Sequence, residues 1–436
     1  MNKTLKNASW IIICRVVQAI LALIISMITA RYLGPSNFGL LNYAISVVAF
    51  VLPLMKLGIS SILVQEFVVD PDHEGETLGT SLTLGFISAL LCVGGVNAFA
   101  CLTNAGETDT IIVCALYSTI LVFQVFEFIN YWFQRKLAAK YSSIIALIAY
   151  VVVSAYKVFL LVTNKSIYWF AIANTIDYLI IAIGLYFMYI KMGGQKLKFS
   201  WSKAKRLLSI GKYYVISDLM VVVFAQTDRI MLKMMMNNAA TGYYSAAVTC
   251  AGMTQFVFGA IIDSMRPTIF EKKRESEEGY RLNLSRLFSV ITYLSLIQSL
   301  FMTILAPIII QLLYGPKFND SIMALQIVVW YTTFSYLGSA RNIWILAEKK
   351  QKYLWQINLF GALANILLNA LLIPIIGVNG AAFASLITQF LTNVVTGFIF
   401  PPLRGVNKFL LKGFNPLFFI QNISRVFQLI KNKESH

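Results

Sequence analysis

Apolar residues run along this chain in long blocks, each closed by a short polar or glycine-proline joint, from near residue 10 to near residue 400. An α-helix needs roughly 20 mostly apolar residues to cross about 30 Å of hydrocarbon, so each block reads as a spanning helix. The pattern predicts helices at 10–33, 38–66, 78–103, 110–133, 141–163 and 167–191. A second set follows at 211–236, 241–270, 286–314, 321–347, 353–376 and 379–400. Gly34-Pro35, Gly193-Gly194, Gly315-Pro316, Gly377 and Pro401-Pro402 punctuate the joints. The longest gap, 192–210, carries Lys196, Lys198, Lys203, Lys205 and Arg206 and reads as a basic linker with an interfacial helix around Trp201. Beyond Pro402, Leu417, Phe418, Ile420, Val426, Phe427 and Ile430 alternate with Asn415, Gln421, Arg425 and Lys431, which predicts an amphipathic tail over 401–436.

Composition agrees. The 436 residues are 58% hydrophobic and 13% charged, with a mean hydropathy of +0.72; soluble domains sit near half apolar and a quarter charged. The five cysteines, Cys14, Cys92, Cys101, Cys114 and Cys250, lie mostly in apolar runs without metal-ligand spacing, and read as small apolar filler. His73 and His436 stand in polar segments and mark neither a catalytic nor a metal site. The first apolar run is too long for a signal-peptide core and carries Arg15, so it is expected to stay as the first helix.

Lysine and arginine fall mainly on one side of these helices: Lys3 and Lys6, then Arg135, Lys136 and Lys140, then the basic linker. Lys272, Lys273, Arg274 and Arg281, then Lys349, Lys350 and Lys352, and finally the tail continue the series. The opposite joints offer little beyond Arg31, Lys165, Lys233 and Lys317. The positive-inside rule then places both termini in the cytoplasm, which requires an even number of spans. The loop with Asp70, Asp72, Glu74 and Glu76 is an acidic exception on the basic side, and acidic residues weigh little in that rule. This bias and anionic lipid account for the net charge of +17, so nucleic acid is not an expected partner.

The two sets repeat. Phe38-Gly39-Leu40-Leu41-Asn42-Tyr43-Ala44 resembles Thr241-Gly242-Tyr243-Tyr244-Ser245-Ala246-Ala247 at an offset of 203. Trp132, Lys140 and Tyr141 recur as Trp344, Lys352 and Tyr353, and Ala171 and Ala173 as Ala382 and Ala384, in the same order. The expected fold is therefore all-α and integral to the membrane. About twelve transmembrane helices form two pseudo-symmetric six-helix lobes, 1–191 and 211–400, joined by the linker.

A charge near mid-bilayer costs roughly 2.5–3.5 kcal/mol and usually faces protein or water. The apolar blocks hold Arg15, Lys56, Glu127, Lys157, Asp177 and Asp218 several turns inside; Asp228, Arg229, Asp263, Arg266 and Arg341 lie nearer an end. The end residues read equally well as snorkelling, topology-fixing charges. Arg15 and Asp218 occupy equivalent places at the offset of 203, which fits a structural ion pair as well as a substrate site. A planar guanidinium donates two hydrogen bonds to a phosphate and an ammonium supplies a point charge, so Arg15, Lys56, Arg266 and Arg341 suit an anionic substrate such as a lipid-linked diphosphate. Glu127, Asp177, Asp218 and Asp263 are the candidates for coupling to H+ or Na+; no other cofactor is expected.

Ala30-Arg31-Tyr32-Leu33-Gly34-Pro35-Ser36-Asn37-Phe38-Gly39 with Tyr43-Ala44 resembles the signature at the helix 1–2 joint of Wzx-type polysaccharide and O-antigen flippases. These belong to the multidrug/oligosaccharidyl-lipid/polysaccharide (MOP) exporter superfamily. Asp228-Arg229, Gly242 to Ala247, and Leu313-Tyr314-Gly315 with Phe318 fit the same pattern, so the resemblance runs over roughly residues 1–400. It implies a MATE-like pair of six-helix lobes, alternating access, and an undecaprenyl-diphosphate-linked oligosaccharide moved to the outer leaflet of a bacterial cytoplasmic membrane. Membrane lipid, a polysaccharide polymerase and chain-length proteins are the implied partners. In the related lipid II flippase, basic residues of helices 1, 2 and 8 line the cavity, and Arg15, Lys56 and Arg266 occupy comparable helices here. The chain departs from the family at Gln65-Glu66, where Arg-Glu is common, so no arginine role is carried over to that joint.

Two other readings stand beside the flippase. A cation-coupled multidrug or metabolite antiporter on the same fold would rely on the deep carboxylates. A membrane polymerase or glycosyltransferase would place its reactive residues on a large external loop. No external gap here exceeds about ten residues, near ordinary connector length, and no P-loop pattern is present, so neither an enzyme nor direct ATP coupling is expected.

Overall fold

The computed structural model describes residues 3–421; the side chains of residues 3–13 and of Arg15 lie outside the described set. Every regular element among the described residues is helical. Eight stretches are long and apolar enough to cross a membrane. Two of them hold two helices each, broken at Gly34 and at Ile376–Gly377. The bent pair Asn238–Gly252 and Gln255–Glu275, and Ser321–Ala347, bring the total to twelve. We number them α1 (3–33), α2 (35–56), α3 (Glu74–Thr103), α4 (Thr108–Arg135), α5 (Ala139–Val162) and α6 (Ile167–Lys191). They continue as α7 (Trp201–Met235), α8 (238–275), α9 (Glu277–Leu313), α10 (Ser321–Ala347), α11 (354–375) and α12 (378–399). The chain is a multi-pass membrane protein.

The joints follow from local chemistry. Gly34 takes φ +70°, which a side chain would strain, and Pro35 then opens α2 with the fixed φ a first helical residue needs. Ser276 caps α9 by accepting the Gly279 N–H at 3.2 Å. The expected linker helix around Trp201 is no separate element, because the chain passes from it into α7 as one helix of 35 residues.

Packing divides the chain into two compact units, Met1–Gly242 and Tyr243–His436. α7 thus packs within the first, although the repeats head the second set with it. The reason is visible at two points, within and just beyond α2, where Ser46 and Gly58 meet α7; Gly39 meets Asn238 at the start of α8. A Cβ on Gly39 would overlap the Asn238 carbonyl, and one on Gly58 the Gly211 carbonyl. Between them Ser46 donates to Gln226 Oε1 at 2.9 Å. Close backbone approach at both ends leaves no room for a side chain. The boundary at Gly242 describes packing; a repeat boundary within 192–210 remains a proposal about duplication.

The first unit's core gathers Tyr43, Met55, Phe67, Phe128, Phe133 and Phe170. In the second, Phe258 stacks on Tyr336 at 4.0 Å between ring centroids, within a core that includes Leu287, Phe288 and Trp344. The tail enters this core: a short helix, Asn407–Gly413, buries Phe409 and Leu410 there. The start of the amphipathic stretch leaves Leu417 and Ile420 exposed, and Val426 to Lys431 lie outside the described residues.

The acidic exception on the basic side also finds its reason. Residues 195–200 run extended along α3, where a Cβ on Gly75 would overlap the Lys196 carbonyl and one on Gly79 would lie 2.5 Å from that of Lys198. Gly75 N donates to Gln195 Oε1 at 2.8 Å, and Ser200 N to Thr80 Oγ1 at 3.0 Å. Charges then clasp the strap: Lys203 to Asp70 at 2.5 Å and Arg206 to the buried Glu66 at 3.1 Å. Glu74, 3% exposed, receives Arg135 at 3.1 Å, Lys136 at 3.2 Å and the Trp132 indole N–H at 2.8 Å.

Candidate functional site

The sequence predicts one continuous helix over 38–66, with Lys56 deep inside it. The structure breaks that helix directly after Lys56. Leu57 and Gly58 take φ values of 51° and 66°, and a 3-10 turn, Ile59–Ser61, precedes Leu63–Val69. The Leu54 carbonyl accepts both the Leu57 N–H at 3.1 Å and Ser88 Oγ at 3.0 Å. Lys56 therefore sits in the last turn of α2, where carbonyl ends favour a cation.

Opposite it, α4 tightens to a 3-10 turn at Val125–Glu127. Lys56 Nζ reaches Glu127 Oε2 at 3.1 Å, with 24% and 26% of the two side chains exposed. Two of the charges singled out from the sequence thus meet at irregular helix segments of the first unit. Irregular backbone at membrane depth is tolerated where protein or water surrounds it. On α7, Arg229 adds a contact to Gln226 Oε1 at 3.1 Å.

A second group lies between α5 and α6. Lys157 Nζ donates to Asn174 Oδ1 at 3.0 Å, and Asp177 follows one helical turn further along α6. Asp177 Oδ1 is buried without a hydrogen-bond partner among the described residues.

In the second unit the candidates separate. Arg266 and Asp263 pair with each other at 2.9 Å across one turn of α8, both well exposed. Arg341 of α10 is 4% exposed, and its Nη1 donates to the Thr392 carbonyl. That carbonyl belongs to the π-helical turn Leu391–Val395 of α12, whose shifted bonding leaves oxygens available. Arg341 Nε is buried with no hydrogen-bond partner among the described residues. Arg15 lies on α1, its side chain outside the described set.

Sequence reasoning named these residues one by one but paired only Arg15 with Asp218. It also passed over Lys233 with Glu107, and the clasp of Glu66 and Asp70 on Arg206 and Lys203. The signal for the clasp was available, since an acidic loop faces a basic linker on the same side. Outside the spans, Lys203 and His73 hydrogen-bond Asp70 and hold its carboxyl at about 2. Glu107 is held below the usual carboxylate range by Lys233 and Thr110. No group of three or more metal-ligating side chains occurs among the described residues.

Residues 4–273 match the family described as polysaccharide biosynthesis protein. An uncharacterized membrane protein, MJ1068 of Methanocaldococcus jannaschii, is 26% identical over 247 residues, 52% of this chain and 47% of that relative. The chain thus aligns with about half the length of that curated relative. Among solved structures, the lipid II flippase MurJ in an inward closed conformation superposes with a TM-score of 0.73 at 16% identity, covering 95% of this chain and 92% of the other. An inward-facing multidrug resistance MATE family transporter of the MOP superfamily gives 0.69 at 12% identity, over 89% and 94%. A MOP superfamily transporter from Pyrococcus furiosus, described as having a binding pocket of reverse polarity, gives 0.56 at 13% over 93% and 96%. At these identities the likeness is one of fold, and the fold is that of the MOP exporters.

Proposed function

Because the chain belongs to the polysaccharide biosynthesis protein family, we propose that it is a flippase that turns a lipid-linked oligosaccharide across the membrane for surface polysaccharide assembly. The observation that carries this reading is the Lys56–Glu127 pair, held where α2 breaks and α4 tightens. Ionisable groups kept inside a membrane bundle at such cost mark a transport path by default. The phosphates of an undecaprenyl diphosphate would compete with Glu127 for Lys56. Arg15, Arg266 and Arg341 are the further cations for that headgroup, Arg341 with its unpaired Nε. In this reading the membrane is the bacterial cytoplasmic one, both termini lie inside, and a polymerase and chain-length proteins receive the product. The chain's own part is binding and reorientation, without a covalent step.

The Asp177 carboxylate favours ion coupling, of H+ or Na+, since a buried oxygen without a partner is costly unless it takes up a cation. It also supports a second reading, a cation-coupled antiporter on the same fold. Deletion of the gene separates the two. A flippase leaves a lipid-linked glycan accumulating on the cytoplasmic face; no accumulation, with altered drug sensitivity, would establish the antiporter instead.

A further inference from the structure

At the end of the first unit opposite the basic joints, three connections meet: the α1–α2 joint, the α3–α4 loop and the α7–α8 joint. They enclose a cavity of about 320 Å³ lined by Ser36, Thr103, Asn104, Glu107, Lys233, Asn237 and Asn238, with Met234, Met236 and Ala239. Its polar floor is built: Asn104 and Lys233 are 5% and 7% exposed. Lys233 Nζ contacts both Glu107 oxygens, at 2.7 and 2.6 Å, and Thr110 donates to Glu107 at 2.7 Å. Asn104 donates to Tyr43 Oη at 3.1 Å and to Thr103 Oγ1 at 2.9 Å. Asn237 Oδ1 accepts the Ala240 N–H at 2.9 Å. Asn238 Oδ1, by contrast, is buried with no hydrogen-bond partner among the described residues.

The chemistry narrows the ligand. One lysine bound to both oxygens of one glutamate leaves the cavity without net charge, so neither a bare phosphate nor a metal ion finds the excess charge it needs. What remains is a dense set of amides and hydroxyls that both donate and accept. That set matches the alternating hydroxyls of a pyranose, and the volume stands at the lower end of the roughly 300–1,000 Å³ of small-molecule sites. We propose that this cavity is a saccharide subsite on the outer face, separate from the charged groups around Lys56. There it holds an uncharged sugar of the glycan as the substrate leaves. The role in export rests on the flippase reading; the sugar chemistry does not.

The test uses the purified full-length protein in lipid nanodiscs, probed by saturation-transfer NMR with methyl glycosides of glucose, galactose and N-acetylglucosamine. Wild-type protein transfers saturation to at least one of them. Asn238→Leu, which fills the cavity and removes the buried acceptor, weakens binding about tenfold with unchanged thermal unfolding. Should that variant not fold, Glu107→Gln at the exposed rim is read in the same way. No transfer to any of the three sugars, or equal transfer in the variant, overturns the subsite. Gene deletion without glycan accumulation overturns the flippase reading instead and leaves the binding result in place.

Discussion

Lys56 illustrates how one residue acquires two roles. Its ammonium balances Glu127 at 3.1 Å, and in the flippase reading it is also a cation offered to the diphosphate. A charge swap separates them. Lys56→Gln alone is expected to cost on the order of 1–2 kcal/mol, between the values for exposed and buried pairs, and to abolish glycan export with the protein still in the membrane. The double variant Lys56→Glu with Glu127→Lys should recover the thermal stability. Export should stay lost, because the charge now stands on the wrong helix. Recovery of both, measured by thermal unfolding and surface glycan, would make the pair purely structural.

At the scale of elements, the strap of residues 195–200 depends on two absent side chains. Gly79→Val would drive a branched side chain into the Lys198 carbonyl. We expect destabilisation of about 1–3 kcal/mol, read as faster proteolysis at Lys196 and Lys198. The clasp that holds the strap is pH-dependent in a defined sense. The carboxyl of Asp70 is held at about 2 by Lys203 and His73, below its ordinary value. Its contribution is therefore fully present above the ordinary carboxylate range near 4 and fades as pH falls through about 2. Asp70→Asn should lower the unfolding temperature at neutral pH, by a difference that stays flat down to about pH 4 and shrinks below it. A difference that varied between pH 5 and 8 would point to another group. Glu348 in the second unit behaves alike: burial pushes its carboxyl up, but Lys273 and Tyr280 outweigh it and hold it low.

For the whole molecule, the distribution of charge is expected to set orientation. Cysteines placed at Lys196 and Lys350 should label only from the cytoplasmic face, and one at Lys165 only from outside. Cys101 is the exposed native thiol among the described residues, so a Cys101→Ser background keeps the readout clean. Labelling of positions 196 and 165 from the same face would refute the single span, α6, placed between them.

The sequence by itself determined the class and many of the helix joints, because burying apolar surface in hydrocarbon and closing each helix at glycine or proline are local requirements. It determined the family too, since residues 4–273 match it. Tertiary structure alone decided which charges meet. The break after Lys56 needs Gly58 and Gly211 to touch, although 153 positions separate them, and no periodicity in α2 announces it. The same holds for α7, which joins the first unit through Ser46 and Gly58, and for Lys233, which finds Glu107 across 126 residues. Pattern along a chain records what each segment must avoid exposing; which distant group answers a given charge is settled only when the backbones are close enough to bring them into contact.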